Sequence, residues 1–179
     1  MRLRTVLLDS LVGLAAGLIA TRITGTVQGI LWRMMPEDAK QEEADAALPL
    51  DPSQTAAKRL ARLAGVELTG KALETGGWIV HYATGLGWTP VYMLLRRWGG
   101  LHPAGAALVC GSAMALALDE GLVPALELSR GPRAYPWETH ARGFVTHIAF
   151  GVLVTAAVET LSRPARRAER VSRRRRRAA

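Results

Sequence analysis

The chain has 179 residues, 49% hydrophobic but only 6% aromatic, with a formal net charge of +8. Its single cysteine, Cys110, excludes an intrachain disulfide and any cysteine-based metal motif, and there is no phosphate loop, dinucleotide fingerprint or hydrolase pattern, since Ser112 and Ser129 lack an evident base. Nine arginines follow Leu161, so the basic excess is mostly a tail suited to anionic lipid headgroups and to setting topology rather than to nucleic acid.

The first apolar stretch covers about residues 5–31, after Met1-Arg2-Leu3-Arg4. It is too long for the core of a cleaved signal peptide and reads as an uncleaved transmembrane helix, with Trp32 marking its exit. Arg22 lies inside it, as do Gly13-x-x-x-Gly17 and Gly25-x-x-x-Gly29. Residues 36–74 form an extramembrane loop. Pro36 to Pro52 is acidic, Ala-rich and expected to be mobile. Thr55 to Leu68 is amphipathic, with Ala57, Leu60, Ala64 and Leu68 on one face, and suits either a short interfacial helix or packing on the end of a bundle.

The second stretch covers about 75–95 and carries His81, with a kink expected at Pro90 and Thr89 beside it to satisfy freed backbone groups. Trp78 and Trp98 stand ~30 Å apart along a helix, the separation of two membrane faces. Gly99-Gly100 makes a turn, Pro103 opens the third stretch (about 103–123) and Pro124 closes it, with Asp119-Glu120 near its end. Ser129-Arg130-Gly131-Pro132 is a turn, and Tyr135-Pro136-Trp137 suits an interfacial cap that becomes a lid if the polar residues beneath it form a site. The fourth stretch covers about 141–161, carries His147 and is followed by Pro164 and a basic, disordered tail over 164–179.

The expected fold is all-α: an integral membrane four-helix bundle over 1–163 with a short amphipathic interfacial helix. Four crossings place thirteen Lys and Arg residues on the side of the termini and nine on the other, which favours both termini inside. The small residues, including Gly77, Gly85, Gly87, Ala107, Gly111 and Ala115, are expected to serve packing within one chain in preference to a homo-oligomeric face.

Counting from the helix ends places Arg22, His81, Asp119, Glu120 and His147 in one layer, ~6 to ~13 Å below one membrane face. Lone charges in a bilayer core are costly, so Arg22 paired with Asp119 or Glu120 is the most economical arrangement. Histidines and carboxylates are also the usual parts of proton relays. Ligation of haem by His81 and His147 is a weaker reading, and no cofactor, metal or catalytic residue is expected. His140, seven residues before His147 on the same face, is expected to meet interfacial water.

His81-Tyr82-x-x-Gly85, Asp119-Glu120-x-x-Val123-Pro124, Ala134-Tyr135-Pro136-Trp137-Glu138 with Thr146-His147, and Gly-Leu-x-Ala-Gly at 13–17 resemble the YagU-like family of bacterial inner-membrane proteins. The resemblance covers most of the apolar portion but neither the 36–74 loop nor the arginine tail. It implies a multi-pass inner-membrane protein and carries no established activity. The functional expectation is proton- or ion-linked transport or stress adaptation through the polar layer. A structural or accessory subunit binding a membrane protein partner is the alternative, and an enzyme or a haem or redox carrier comes third.

Overall fold

The computed structural model describes the backbone of residues 3–178 and the side chains of residues 8–162. The described chain is helical throughout, without strands, in the order α1 (Leu3–Met34), α2 (Glu37–Ala46), α3 (Pro52–Leu63), α4 (Gly70–Arg97), α5 (Pro103–Met114), a π-helical segment (Ala115–Leu122), α6 (Val123–Ala125), a 3-10 turn (Pro132–Ala134) and α7 (Trp137–Ala178). Three helical stretches are long and apolar enough to cross a membrane: Leu8–Met34, Pro103–Ala125 and Trp137–Ser162. The second stretch of the sequence, α4, is long enough but diluted by Gly, Thr, His81 and Tyr residues, so it is not among them.

The helices pack α1 on α7 and α4, and α5 on α7 and α4. The core between them is built from Ala16, Ala20, Tyr92, Cys110, Phe150 and Val154. Small residues set the spacing, as expected of helices that approach closely. A Cβ on Gly17 would stand 2.6 Å from Thr89 Oγ1, and one on Gly85 would strike Thr21 Oγ1. On the other side, a Cβ on Gly111 would fall 2.5 Å from the His147 carbonyl oxygen, and one on Gly151 would strike the Ala107 carbonyl. Gly13 and Gly17 therefore meet α4, while Gly25 and Gly29 meet nothing within 4 Å. Leucines, isoleucines and valines such as Leu11, Leu14, Ile23, Leu108, Leu116 and Val152 remain exposed on the outward faces.

Ion pairs show which ends come together. Arg97 reaches Asp9 at 2.8 Å and Arg96 reaches Glu159 at 3.2 Å, so the start of α1, the end of α4 and the Glu159 stretch of α7 share one end. Arg142 reaches Glu43 at 2.8 Å and Met35 Sδ at 3.3 Å, so the exit of α1, α2 and the start of α7 share the other. Along α1, α4 and α7 the chain therefore alternates in direction.

The 36–74 segment differs from expectation in its first half. Residues 37–46, expected within a mobile loop, form α2, held to α7 by Glu43, which also accepts from Thr139 Oγ1 at 2.7 Å. Helix α3 starts at Asp51, whose side chain accepts the Gln54 N–H. It packs on the start of α4, where Gly76 and Gly77 face Ala57 and Gln54. Its Arg59 donates to the carbonyls of Leu126 and Glu127, covering acceptors left free where α6 ends. Of its expected apolar face, Ala57 is buried and Leu68 touches the Gly76 position, whereas Leu60 is exposed. Helix α7 continues past the expected end of the fourth stretch, and the backbone of 164–178, expected to be disordered, is helical. The tail's side chains lie outside the described residues.

Candidate functional site

Asp119 and Glu120 sit in the π-helical segment, where Val123 N–H reaches the Leu118 carbonyl five residues back. Such segments are rare and often mark functional positions. A π-helix turns less per residue than an α-helix, so neighbouring side chains diverge less. Here both carboxylates reach α7. Their partners, His140 and His147, are seven residues apart and therefore two turns apart on one face. Gly143 lies between them, where a Cβ would stand 3.0 Å from Asp119 Oδ2. The glycine leaves room for the carboxylate.

Glu120 Oε1 lies 2.6 Å from His140 Nδ1, and His140 Nε2 lies 3.0 Å from the Pro132 carbonyl oxygen. A carbonyl only accepts, so Nε2 carries a hydrogen and donates. Nδ1 then faces a carboxylate oxygen at hydrogen-bond distance, which requires a proton between them. The pair is either an imidazolium on a carboxylate or a neutral imidazole accepting from a carboxylic acid. Both forms hold one proton more than a free neutral histidine and a free carboxylate.

His147 Nε2 lies 2.9 Å from Asp119 Oδ2, while its Nδ1 is buried without a hydrogen-bond partner. The second pair thus engages one ring nitrogen and leaves the other buried and unpartnered. Thr146, Thr21 and Thr24 also bury hydroxyls without partners. Thr21 faces Gly85 of α4, and Thr146 is the chain neighbour of His147. Buried polar atoms of this kind are ordinarily satisfied by partners or water.

The expected layer is therefore assembled in part. His147, Asp119 and Glu120 come together. His81 is half-buried, packs edge-on against the rings of Trp78 and Tyr82, and lies close enough to His147 to interact electrostatically. Arg22 does not join them. It is exposed and forms no ion pair with either acid, which corrects the expected Arg22–Asp119 or Arg22–Glu120 bridge. The reason is helix rotation: Gly17, Ala20, Thr21 and Thr24 form the inward stripe of α1, and Arg22 stands about 100° off Thr21. Replacing Arg22 with leucine is accordingly expected to leave thermal stability unchanged or raised, within about 0.5 kcal/mol of neutral. A large drop in melting temperature in detergent would restore the bridge.

His140, expected to meet interfacial water, is instead a full member of the site. The signal was available, since its seven-residue spacing from His147 fixes a shared face, but the partner depended on the π register. The pairing of Arg142 with Glu43 carried no local signal at all.

The carboxylates, His140 and the Tyr135–Trp137 cap line an open pocket of about 650 Å³. Pro132 and Arg133 form one rim, and Leu116 and Phe144 an apolar wall. The cap expected from the sequence thus covers the acidic pair, with the Pro132 carbonyl tied to His140. Among the described residues, no three His, Cys, Asp or Glu side chains converge as metal ligands. Neither a family model, a curated protein nor a solved structure matches this chain.

Proposed function

We propose that this chain is a four-helix integral membrane protein of the YagU-like kind in the bacterial inner membrane, that both termini are cytoplasmic, and that its His–carboxylate pairs pass protons. The observation that carries the reading is the Glu120–His140 pair. It holds a proton by geometry, one residue along from a second pair whose imidazole has a buried, unpartnered nitrogen.

Packing supports reading α4 as a fourth crossing. Midway along its length, α4 meets α1 at Gly17 through Leu86 and Thr89, and Cys110 of α5 approaches the Trp88 carbonyl at 3.8 Å. In this reading α4, packed midway along its length between two candidate spans, crosses with them. Exposed Trp32, Trp78 and Trp137 at one end and Trp98 at the other suit aromatic belts at two interfaces. The arginines of the tail and Arg96-Arg97 favour the terminal end as the cytoplasmic one.

In this reading, protons enter at the pocket, load on Glu120–His140, and pass to the Asp119–His147 pair. The test is proton flux in proteoliposomes under an imposed pH gradient. The intact protein is expected to dissipate the gradient. Glu120→Gln, which keeps size and hydrogen bonding but cannot hold the shared proton as a carboxylate, is expected to reduce the rate about tenfold or more, within the range set by loss of a positioned acid–base group. Equal flux in the folded variant and the wild type would refute the reading.

A further inference from the structure

The pocket over Glu120 is larger than a proton path needs, and its walls have a chemistry of their own. Its volume of about 650 Å³ lies within the range of small-molecule sites. Asp119 and Glu120 line it together with Tyr135, Trp137 and Phe144. Aromatic faces attract cations, and so do carboxylates; most of the remaining lining is apolar.

The local charges can be followed element by element. The π segment presents Asp119 and Glu120, the cap presents Tyr135 and exposed Arg133, and α7 presents His140, His147 and Arg142. Arg142 is taken up by Glu43 of α2 at 2.8 Å, and His81 of α4 is within electrostatic reach of His147 and of Asp51. With its shared proton, the Glu120–His140 pair is neutral in sum. Asp119 Oδ2 is engaged by His147 Nε2 at 2.9 Å, and Arg133 lines the same pocket. Loss of the shared proton adds one negative charge beside the aromatic rings, and a cation in the pocket restores the balance.

We propose that the pocket between the π segment and the 132–137 cap binds a lipophilic cation, an ammonium or other onium centre on an apolar body, in exchange for the proton shared by Glu120 and His140. The exchange breaks the hydrogen bond between Nδ1 and Oε1 and releases that proton to water at the open mouth. The cation then faces the Glu120 carboxylate, while His140 keeps its Nε2–H donated to Pro132. The inference rests on the proposed proton-handling reading and names the substrate class of the same site.

The full chain in phosphatidylglycerol nanodiscs, which contain no ammonium lipid, is titrated with tetraphenylphosphonium in weakly buffered solution, with empty discs subtracted. The expected result is saturable binding with release of about one proton per site. Below the titration of the pair, affinity falls about tenfold for each pH unit lowered, because one proton competes with one cation. Glu120→Gln is expected to abolish proton release and weaken binding about tenfold, and Trp137→Ala to weaken it severalfold with proton release intact. Should Glu120→Gln fail to fold, Glu120→Asp serves, with release retained and affinity altered.

Arg133→Gln identifies the source of the cation. Tighter tetraphenylphosphonium binding indicates a free cation, repelled by Arg133 in the wild type. If, in discs doped with phosphatidylethanolamine, that lipid displaces the probe and does so less well in Arg133→Gln, the cation is a lipid amine whose phosphate rests on Arg133. Equal binding of tetraphenylborate, the anion of the same shape, would overturn the proposal, as would binding that ignores Glu120→Gln and releases no proton. Glu120-dependent flux without cation binding overturns this inference alone, whereas cation binding without Glu120-dependent flux overturns the transport reading.

Discussion

Gly151→Ala is expected to destabilise the folded protein by about 3 kcal/mol or more, the upper end of what overpacking costs. The added methyl group would strike the Ala107 carbonyl, with further Ala107 backbone carbon 3.0 Å away. Backbone cannot swing aside as a side chain can, so α5 and α7 must separate, and the facing contact of Gly111 with His147 and Ile148 must open with them. Separation also lengthens both His–carboxylate bridges, since each joins the π segment following α5 to α7. The variant should therefore lose stability and proton flux together. Gly25→Ala is the matched control: nothing lies within 4 Å of that position, and alanine is the better helix former by about 0.5–1 kcal/mol. Size-exclusion chromatography after graded heating in detergent measures both. Equal melting of the two variants would contradict the close α5–α7 crossing.

Breaking the Arg142–Glu43 pair is the second large effect expected. The arginine side chain is 11% exposed and the glutamate 22%, with 2.8 Å between charged atoms. Removal of one partner from a largely buried pair leaves an uncompensated charge, at a cost of about 3–5 kcal/mol, which the remaining exposure lowers toward about 2. Glu43 also accepts from Thr139, so Glu43→Ala should free the start of α7 and release α2 from the bundle end. Arg142→Met with Glu43→Leu replaces both charges by apolar groups and is expected to recover most of the loss. A double-mutant cycle by thermal unfolding gives the coupling directly. Additive losses would mean that the two side chains do not interact in solution.

Both effects depend on tertiary contacts that local sequence does not display. Glu43 belongs to an acidic, Ala-rich stretch that reads as a mobile loop, because nothing nearby in sequence reveals that Arg142, ninety-nine residues on, needs a partner. The glycines were legible as packing positions. Their division was not: Gly13 and Gly17 meet α4 while nothing lies within 4 Å of Gly25 and Gly29, since each four-residue step drifts about 40° round the helix.

The polar residues divide in the same way. Counting from helix ends placed Asp119, Glu120 and His147 at one depth, and the structure brings those three together. Depth is a one-dimensional property, readable from residue number and rise per residue. Rotation about the helix axis is the other coordinate, and it turned Arg22 away from the acids and brought His140 to Glu120.

What the sequence by itself determined is the helical character, the positions of the apolar stretches and the presence of acids and histidines within them. These follow from hydrophobic runs, prolines and glycines acting within a few residues of one another. Only the tertiary structure decided which polar groups share a proton. The π register aims two adjacent carboxylates at two turns of α7, and the α5–α7 glycine crossing brings those turns within hydrogen-bond reach. A pairing at 2.6 Å depends on helix rotation and separation jointly, and both are set by side chains distant in the chain.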